Sequence, residues 1–431
     1  MSEGASNAAA VPQGAAAITR RIITLASARA LNTLGRQIIS VAVGWELYAR
    51  TRSALTLGLV GLVQVIPVVL LFLAAGNAAD RMNRRALATA AVALTGLCGV
   101  GLAITSAMDA PVPVYLALLF ILGVATSFHS PASSAVVTTV IPRASLARYN
   151  TIGSSAYEVA AIAGPGIAGV LLAVISAWAV YALTAATAFG AVACYLALPA
   201  TPPLRDAITE KASDRRDWRV GLRFIFSSSL LLPALTLDLF AVLFAGVTAL
   251  LPVVATEMLH TDSVGLGILR AAPSLGAIGM AVVTTKLTPW RHPGRVLLIV
   301  VALYGVITVG FGFARSMPLA VGLLFVGGAL DNISVVIRIT LEQMVVPDAI
   351  RGRVSAVHHV FIGMSNELGE LESGLATHLV GLGPTIIGGG LLAIAVVSFV
   401  AWRWPGLRQM PPLAELRPAS EMSPPPLPTA P

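Results

Sequence analysis

Apolar residues come in twelve long runs, at 22–48, 54–78, 86–107, 111–133, 147–174, 176–198, 228–256, 262–287, 294–314, 317–341, 352–380 and 384–404, with the polar residues gathered between them. A helix needs about 20 apolar residues to cross a bilayer, so each run predicts one crossing. Gly and Pro recur throughout, 39 and 27 in the whole chain. They would break helices in water, but inside a bundle the neighbouring helices satisfy the freed backbone groups. The pattern predicts an all-α polytopic membrane protein with twelve transmembrane helices. The longest charged interruption, residues 200–227, follows the sixth run. It reads as a linker between a six-helix half at 22–199 and a second at 228–404. Residues 1–21, Ala-rich at their start, and residues 405–431, with nine prolines, are expected to be disordered tails.

Composition agrees: 56% of residues are hydrophobic and 11% charged, where a soluble domain has about a quarter charged. The net charge of +8 raises the question of a nucleic-acid partner. Placement answers it. Counting alternate loops, 21 of the 28 Lys and Arg fall on one side, three (Arg50, Arg52, Arg315) on the other, and Arg29, Arg36, Arg270 and Arg338 inside spans. The positive-inside rule makes the rich side cytoplasmic, with both termini on it. The basicity therefore reports topology, and there is no basic–aromatic groove pattern to suggest nucleic acid. Cys98 and Cys194 lie in apolar runs without metal or redox spacing and read as packing residues. The twin arginines at 20–21 resemble an export signal, but Arg29 and Arg36 make a poor signal-peptide core, so the first run reads as an uncleaved helix.

Landmarks recur between the halves at one offset. Pro67 matches Pro273, 206 residues on, and the Pro142 to Arg148 loop matches the Pro347 to Arg353 loop at an offset of 205. The loop at 76–85 falls opposite the one carrying Lys286. Such recurrence predicts two pseudo-symmetric halves with a substrate site near the midplane between them.

Ionisable groups at membrane depth cost at least ~2.5 kcal/mol each, so they face the interior, pair, and mark pathways. In the tenth run Asp331, Arg338 and Glu342 fall on one helical face, with Arg338 and Glu342 a turn apart and able to pair. In the first, Arg29, Asn32, Thr33, Arg36 and Ser40 share a face, and this basic stripe is expected to meet the acidic one across a central cavity. The eleventh holds three acids. Glu367 and Glu370 lie within about 60° of each other, whereas Glu372 projects to the far side. Two carboxylates a turn apart in low dielectric do not both ionise cheaply, which makes Glu367 or Glu370 the leading candidate for a proton site and Glu372 a partner for a neighbouring helix. Asp238 is a further candidate, Glu158 an ambiguous one. His129 reads as a loop residue, and His358 and His359, adjacent and about 100° apart, do not suggest a shared metal.

Two motifs go further. The loop GNAADRMNRR, residues 76–85, resembles the signature of the major facilitator superfamily between its second and third helices, matching at Gly76, Asp80, Arg81, Arg84 and Arg85. The resemblance implies a conformational latch: Gly76 admits a close helix approach, the arginines sit at the anionic leaflet, and Asp80 caps the eleventh helix near Arg351–Arg353, holding the cytoplasmic side closed. Asn83 stands where the signature has Gly, and is expected to adopt the left-handed backbone in its place. GPGIAGV in the fifth run resembles the G-P-x-x-G-G motif of antiporters at Gly164, Pro165 and Gly169, where Pro165 bends the helix and the glycines admit a neighbouring backbone. Stretches such as DNISVVIRITLEQMVVPDAIRGRVSAVHHV resemble the branch of the superfamily that includes the enterobactin exporter, with departures at Glu46, where Gln is expected, and Ser133, where Arg is expected.

The resemblance implies a monomeric secondary transporter of a bacterial cytoplasmic (inner) membrane, working by alternating access, whose partners are a small-molecule substrate, protons and lipid. The expected function is proton-coupled export of a siderophore or drug-like compound. There is no ATP-binding loop, and no cofactor or metal is expected. A proton-coupled importer is the nearest alternative. An intramembrane enzyme, which would use the acids for general acid–base work, lacks a nucleophile–base pair. A receptor or scaffold would leave the buried acids without a purpose.

Overall fold

The computed structural model describes residues 14–199, 218–284, 290–347 and 350–415. Among these there is no β-strand. The long helices are α1 (Ala15–Thr51), α2 (Ala54–Arg81), α3 (Arg84–Ala107), α4 (Val112–Val140), α5 (Leu146–Val174), α6 (Ala177–Leu196), α7 (Leu231–Ala245, continued by short turns to Met258), α8 (Ser263–Thr284), α9 (Pro293–Gly312), α10 (Met317–Val345), α11 (Arg351–Val380) and α12 (Leu382–Arg403). Ten are long and apolar enough to span a membrane. The other two, α1 and α11, carry the polar residues that line the central cavity, and this lowers their hydropathy.

The packing repeats. In the first half α1 lies against α5 and α6, α2 against α4, and α3 against α4 and α6. Adding six to each label gives the main contacts of the second half: α7 with α11 and α12, α8 with α10, α9 with α10 and α12. Between the halves α2 meets α11 and α5 meets α8, a reciprocal pair that a pseudo-two-fold axis requires. The expected two-half architecture is thus present in the helix contacts.

Several boundaries differ from the sequence reading. The first helix begins at Ala15 rather than 22, since its polar first turns do not count as apolar span. The expected C-terminal tail is not wholly a tail: Leu407 and Met410 are buried, and Arg295 Nε donates to the Arg408 carbonyl at 3.2 Å. Within the expected linker, Trp218–Ser227 is helical and packs on the start of α11. The rest of the linker and of both tails, and Lys286, lie outside the described residues.

The seventh run is not one helix. It ends at Ala245, turns through a short helical stretch at Thr248–Val253, and closes with a π-helical turn at Val254–Met258. The departure is at Gly246, whose ψ of 97° is extended, and Pro252 stands in the first turn of the next helical stretch, where its missing N–H is not needed.

Short loops make successive helices antiparallel, so the bundle has a terminal end, where α1 begins and α12 finishes, and a distal end. The halves are in contact towards the distal end. A Cβ built on Gly374 would lie 2.7 Å from the Ala54 carbonyl oxygen, one on Gly58 3.1 Å from the Leu371 Cα, and one on Gly169 2.5 Å from the Ser263 carbonyl oxygen. Ser263 Oγ donates to the Gly169 carbonyl at 3.0 Å, and the Tyr48 hydroxyl donates to Glu257 on the π-helical turn.

Candidate functional site

Below this distal seam a cavity of about 290 Å³ lies between the halves. The first half supplies Asn32, Thr33, Arg36, Gln37 and Ser40 of α1, Gln64 of α2 and Tyr157 of α5. The second half supplies Arg270 of α8 and Glu367 and Glu370 of α11. Two guanidiniums and two carboxylates therefore face one another in a space enclosed by apolar helices. Arg36 lies within electrostatic reach of Glu367 and Arg270 of Glu370. With all four ionised the charges cancel, which is how four such groups persist at membrane depth.

Local sequence explains the placement. Gly58 and Gly61, one turn apart on α2, let α11 come close: a Cβ on Gly61 would lie 2.8 Å from a Glu370 carboxylate oxygen. Arg270 Nη1 donates to Ser40 Oγ across the halves at 2.7 Å. Its Nη2 lies 3.5 Å, a long hydrogen bond, from the Thr248 carbonyl, which also accepts from the Leu251 N–H. Arg29 is not in the wall itself; its guanidinium sits 5.0 Å from the ring centroid of Tyr157, which is. Arg270 is the residue that sequence reasoning passed over. Its signal was visible, a charge inside the eighth run, but no neighbour in sequence marked it out.

A second cavity, about 230 Å³, lies within the second half and takes Asp238, Asp331, Arg338 and Asn366 into its wall. Arg338 and Glu342, expected to pair along α10, have partners on other helices. Arg338 forms a buried ion pair with Asp238 of α7. Glu342 accepts from Ser355 of α11 and pairs with His358 Nδ1 at 2.5 Å. The basic stripe of α1 meets the acids of α11, not those of α10: Arg36 lines the first cavity and Asp331 the second. The reason is that α11 stands between them, with Asn366 turned to one cavity and Glu367 to the other. Glu372 lines neither, is half-buried, and lies 3.4 Å from its neighbour Ser373.

Two arginines of the latch motif bind within the first half. Arg84 donates to Thr139 Oγ at 2.7 Å, and Arg85 to the carbonyls of Leu196, at 3.4 Å, and Leu198. Arg81 is exposed, and the Asp80 side chain lies outside the described residues. Asn83 corrects the expectation of a left-handed backbone: its φ is −61°, and its side chain caps α3 by accepting from the Ala86 N–H at 3.0 Å. Gly76 is at no close approach, since a Cβ there would meet nothing within 4 Å. Gly164 and Gly169 are at close approaches, to Gln37 and to the α8 backbone, with Pro165 buried between them. His129 is helical rather than a loop residue, and its ring bonds to the Tyr195 hydroxyl at 3.2 Å. Glu158 is exposed on α5. Glu46, the departure from Gln, is a buried anchor: one oxygen accepts from Arg50, Ser106 and Tyr115 at 2.6 to 2.9 Å, tying α1 to the following helices.

The family profile described as transmembrane secretion effector matches residues 16–429. The chain belongs to that family, within the major facilitator superfamily. As a secretion effector it is similar to the enterobactin exporter EntS of Citrobacter koseri, 26% identical over 77% of this chain and 79% of that protein. It is also similar to macrolide efflux protein A of Streptococcus pyogenes, 22% identical over 87% and 94%. Among solved structures it resembles a bacterial homolog of the human lysosomal transporter Spinster in an inward-facing, unoccupied conformation, with a TM-score of 0.70, 14% identity, and 92% and 97% of the two chains covered. A D-xylose–proton symporter gives 0.68, 15%, and 89% and 97%. Family members are multi-pass membrane transporters, which sets the intramembrane enzyme aside.

Proposed function

We propose that this secretion effector exports a small organic molecule across a bacterial cytoplasmic membrane in exchange for protons, by alternating access of twelve helices with both termini in the cytoplasm. The observation that carries the reading is the cavity between the halves, in which Glu367 and Glu370 stand opposite Arg36 and Arg270. When both glutamates are ionised the site is neutral and offers carboxylate acceptors to a substrate. Protonating either one withdraws an acceptor and leaves net positive charge, so a bound substrate is released as a proton arrives. That competition is what exchange needs.

The distal seam supports an arrangement in which the site opens to the terminal, cytoplasmic end. Export needs loading from there, and EntS and the macrolide efflux protein are both named for moving compounds outward. A siderophore or drug-like substrate follows from those relatives. On this reading the 76–85 loop acts as a latch when the cytoplasmic end closes.

The experiment is uptake into everted vesicles driven by a pH gradient, screening catecholate siderophores, macrolides and antibacterial dyes with wild type, Glu367→Gln and Glu370→Gln. The expected result is gradient-driven accumulation that at least one Gln variant uncouples from the gradient while still binding the compound. Equal transport by wild type and both variants overturns the assignment of the proton to these glutamates. Accumulation only in right-side-out vesicles reverses the direction and makes the protein an importer.

A further inference from the structure

The cavity between the halves holds four charges that do not touch. Arg36 and Arg270 face Glu367 and Glu370 across it, and each carboxylate is within electrostatic reach of one guanidinium. Opposite charges shielded from water attract strongly, yet among the described residues none of the four is in an ion pair. Arg270 is tethered instead to Ser40 Oγ, at 2.7 Å, and the Thr248 carbonyl. Glu370 lies against Gly61 of α2. Arg36, although a guanidinium offers several N–H donors, has no hydrogen bond among the described residues, and neither glutamate accepts one. Unmet donors on α1 and unmet acceptors on α11 are thus held apart by the space between them.

An occupant that satisfies both sides must itself carry both charges. We propose that the substrate is a zwitterion, its anionic group on Arg36 and its ammonium between Glu367 and Glu370. The guanidinium fork matches a carboxylate with two parallel hydrogen bonds, and carboxylates one helical turn apart leave room for an ammonium to bridge them. Net charge points the same way. The four groups sum to zero, so a zwitterion keeps the filled cavity neutral, whereas a singly charged molecule of either sign leaves a charge to be carried at membrane depth. The rest of the wall is suited to polar groups: Asn32, Gln37 and Gln64 line it, and among the described residues Tyr157 is its one aromatic. That is a poor cage for a lipophilic cation, which aromatic faces hold best. The ammonium and the incoming proton compete for the same two carboxylates, as exchange requires. The inference rests on reading this cavity as the substrate site, but not on the direction or coupling of transport.

The test is equilibrium dialysis with the full chain purified in lipid nanodiscs, with no gradient present. The probes are two matched sets: norfloxacin, a zwitterion, with its cationic ethyl ester and its anionic N-acetyl form; and phenylalanine with the same two derivatives, whose charges lie closer together. In at least one set the zwitterion is expected to bind wild type about tenfold tighter than either singly charged form, since each of those loses one charge-assisted contact. Arg36→Gln should remove the preference over the ester, and Glu367→Gln combined with Glu370→Gln the preference over the N-acetyl form. Glu372→Gln, outside the cavity wall, should leave all the affinities unchanged. The proposal is overturned if in both sets a singly charged form binds wild type as tightly as its zwitterion, if no zwitterion binds at millimolar concentration, or if the cavity variants keep the wild-type preferences. Failure of the exchange mechanism reads differently. Zwitterion-selective binding without gradient-driven transport in vesicles removes the exchange and keeps the substrate class, whereas gradient-driven transport of a singly charged compound with no zwitterion binding does the reverse.

Discussion

At the scale of single residues, the second half is held together by charges that sequence spacing did not pair correctly. Arg338 lies a turn from Glu342 on α10, yet its ion pair is with Asp238 on α7. Removing one member of such a buried pair leaves the other uncompensated and costs about 3–5 kcal/mol, whereas replacing both with apolar residues of similar size is close to neutral. Asp238→Leu and Arg338→Met are each expected to lower the thermal unfolding midpoint of the purified protein sharply, and the double variant to recover most of the loss. Equal or additive losses would show that the pair contributes no coupling. Helical periodicity tells which residues share a face but not which helix that face meets. Hence Glu367 and Glu370 were identifiable as a pair and Arg36 as a cavity residue, while Arg270, alone in its run, became a candidate only beside Ser40 and Glu370.

At the scale of elements, apolar length was enough to find the helices, because a bilayer demands it. Polar helical turns were not legible in the same way. The start of α1 at Ala15 and the helix at Trp218–Ser227 carry arginines and read as tail and linker. Nor was the break in the seventh run, where the chain leaves the helix at Gly246 and closes in a π-helical turn. The start of α3 gives a clean test of local structure. Asn83 caps it through its side chain, so Asn83→Ala is expected to cost about 0.5–2 kcal/mol, read as a lower unfolding midpoint. Asn83→Gly should recover most of that cost, because Gly is tolerated at this position in a helix. If Gly is as damaging as Ala, the residue acts through some contact other than the cap.

At the scale of the whole molecule, the repeated helix contacts leave the halves joined along two lines, α2 with α11 and α5 with α8. Polar ties cross between the halves at Tyr48–Glu257 and Ser40–Arg270. Tyr48→Phe combined with Ser40→Ala is expected to let the distal end part more often. In a Cys98→Ala, Cys194→Ala background, a cysteine at Gln64 should then react several-fold faster with a membrane-impermeant thiol reagent applied from the distal side. An unchanged rate would mean that the helix seams alone hold that end shut. Gly267→Ala, which puts a methyl 2.7 Å from the Pro165 carbonyl oxygen, is expected to lengthen spin-label distances across the distal end while sparing those within each half.

The glycines of that seam bear on how the protein can vary. Gly58, Gly169, Gly267 and Gly374 meet the opposite half with bare backbone, so no side chains interlock there and nothing must change rotamer for the surfaces to part. A surface made from the absence of side chains can be altered only by adding atoms to it, and any addition wedges the same two faces apart. Random change at these four positions therefore pushes the transporter one way, towards states open at the distal end. Change in the cavity wall away from the Ser40–Arg270 tie, where side chains can be traded for others of equal size, is free to alter what is carried without altering how the halves meet.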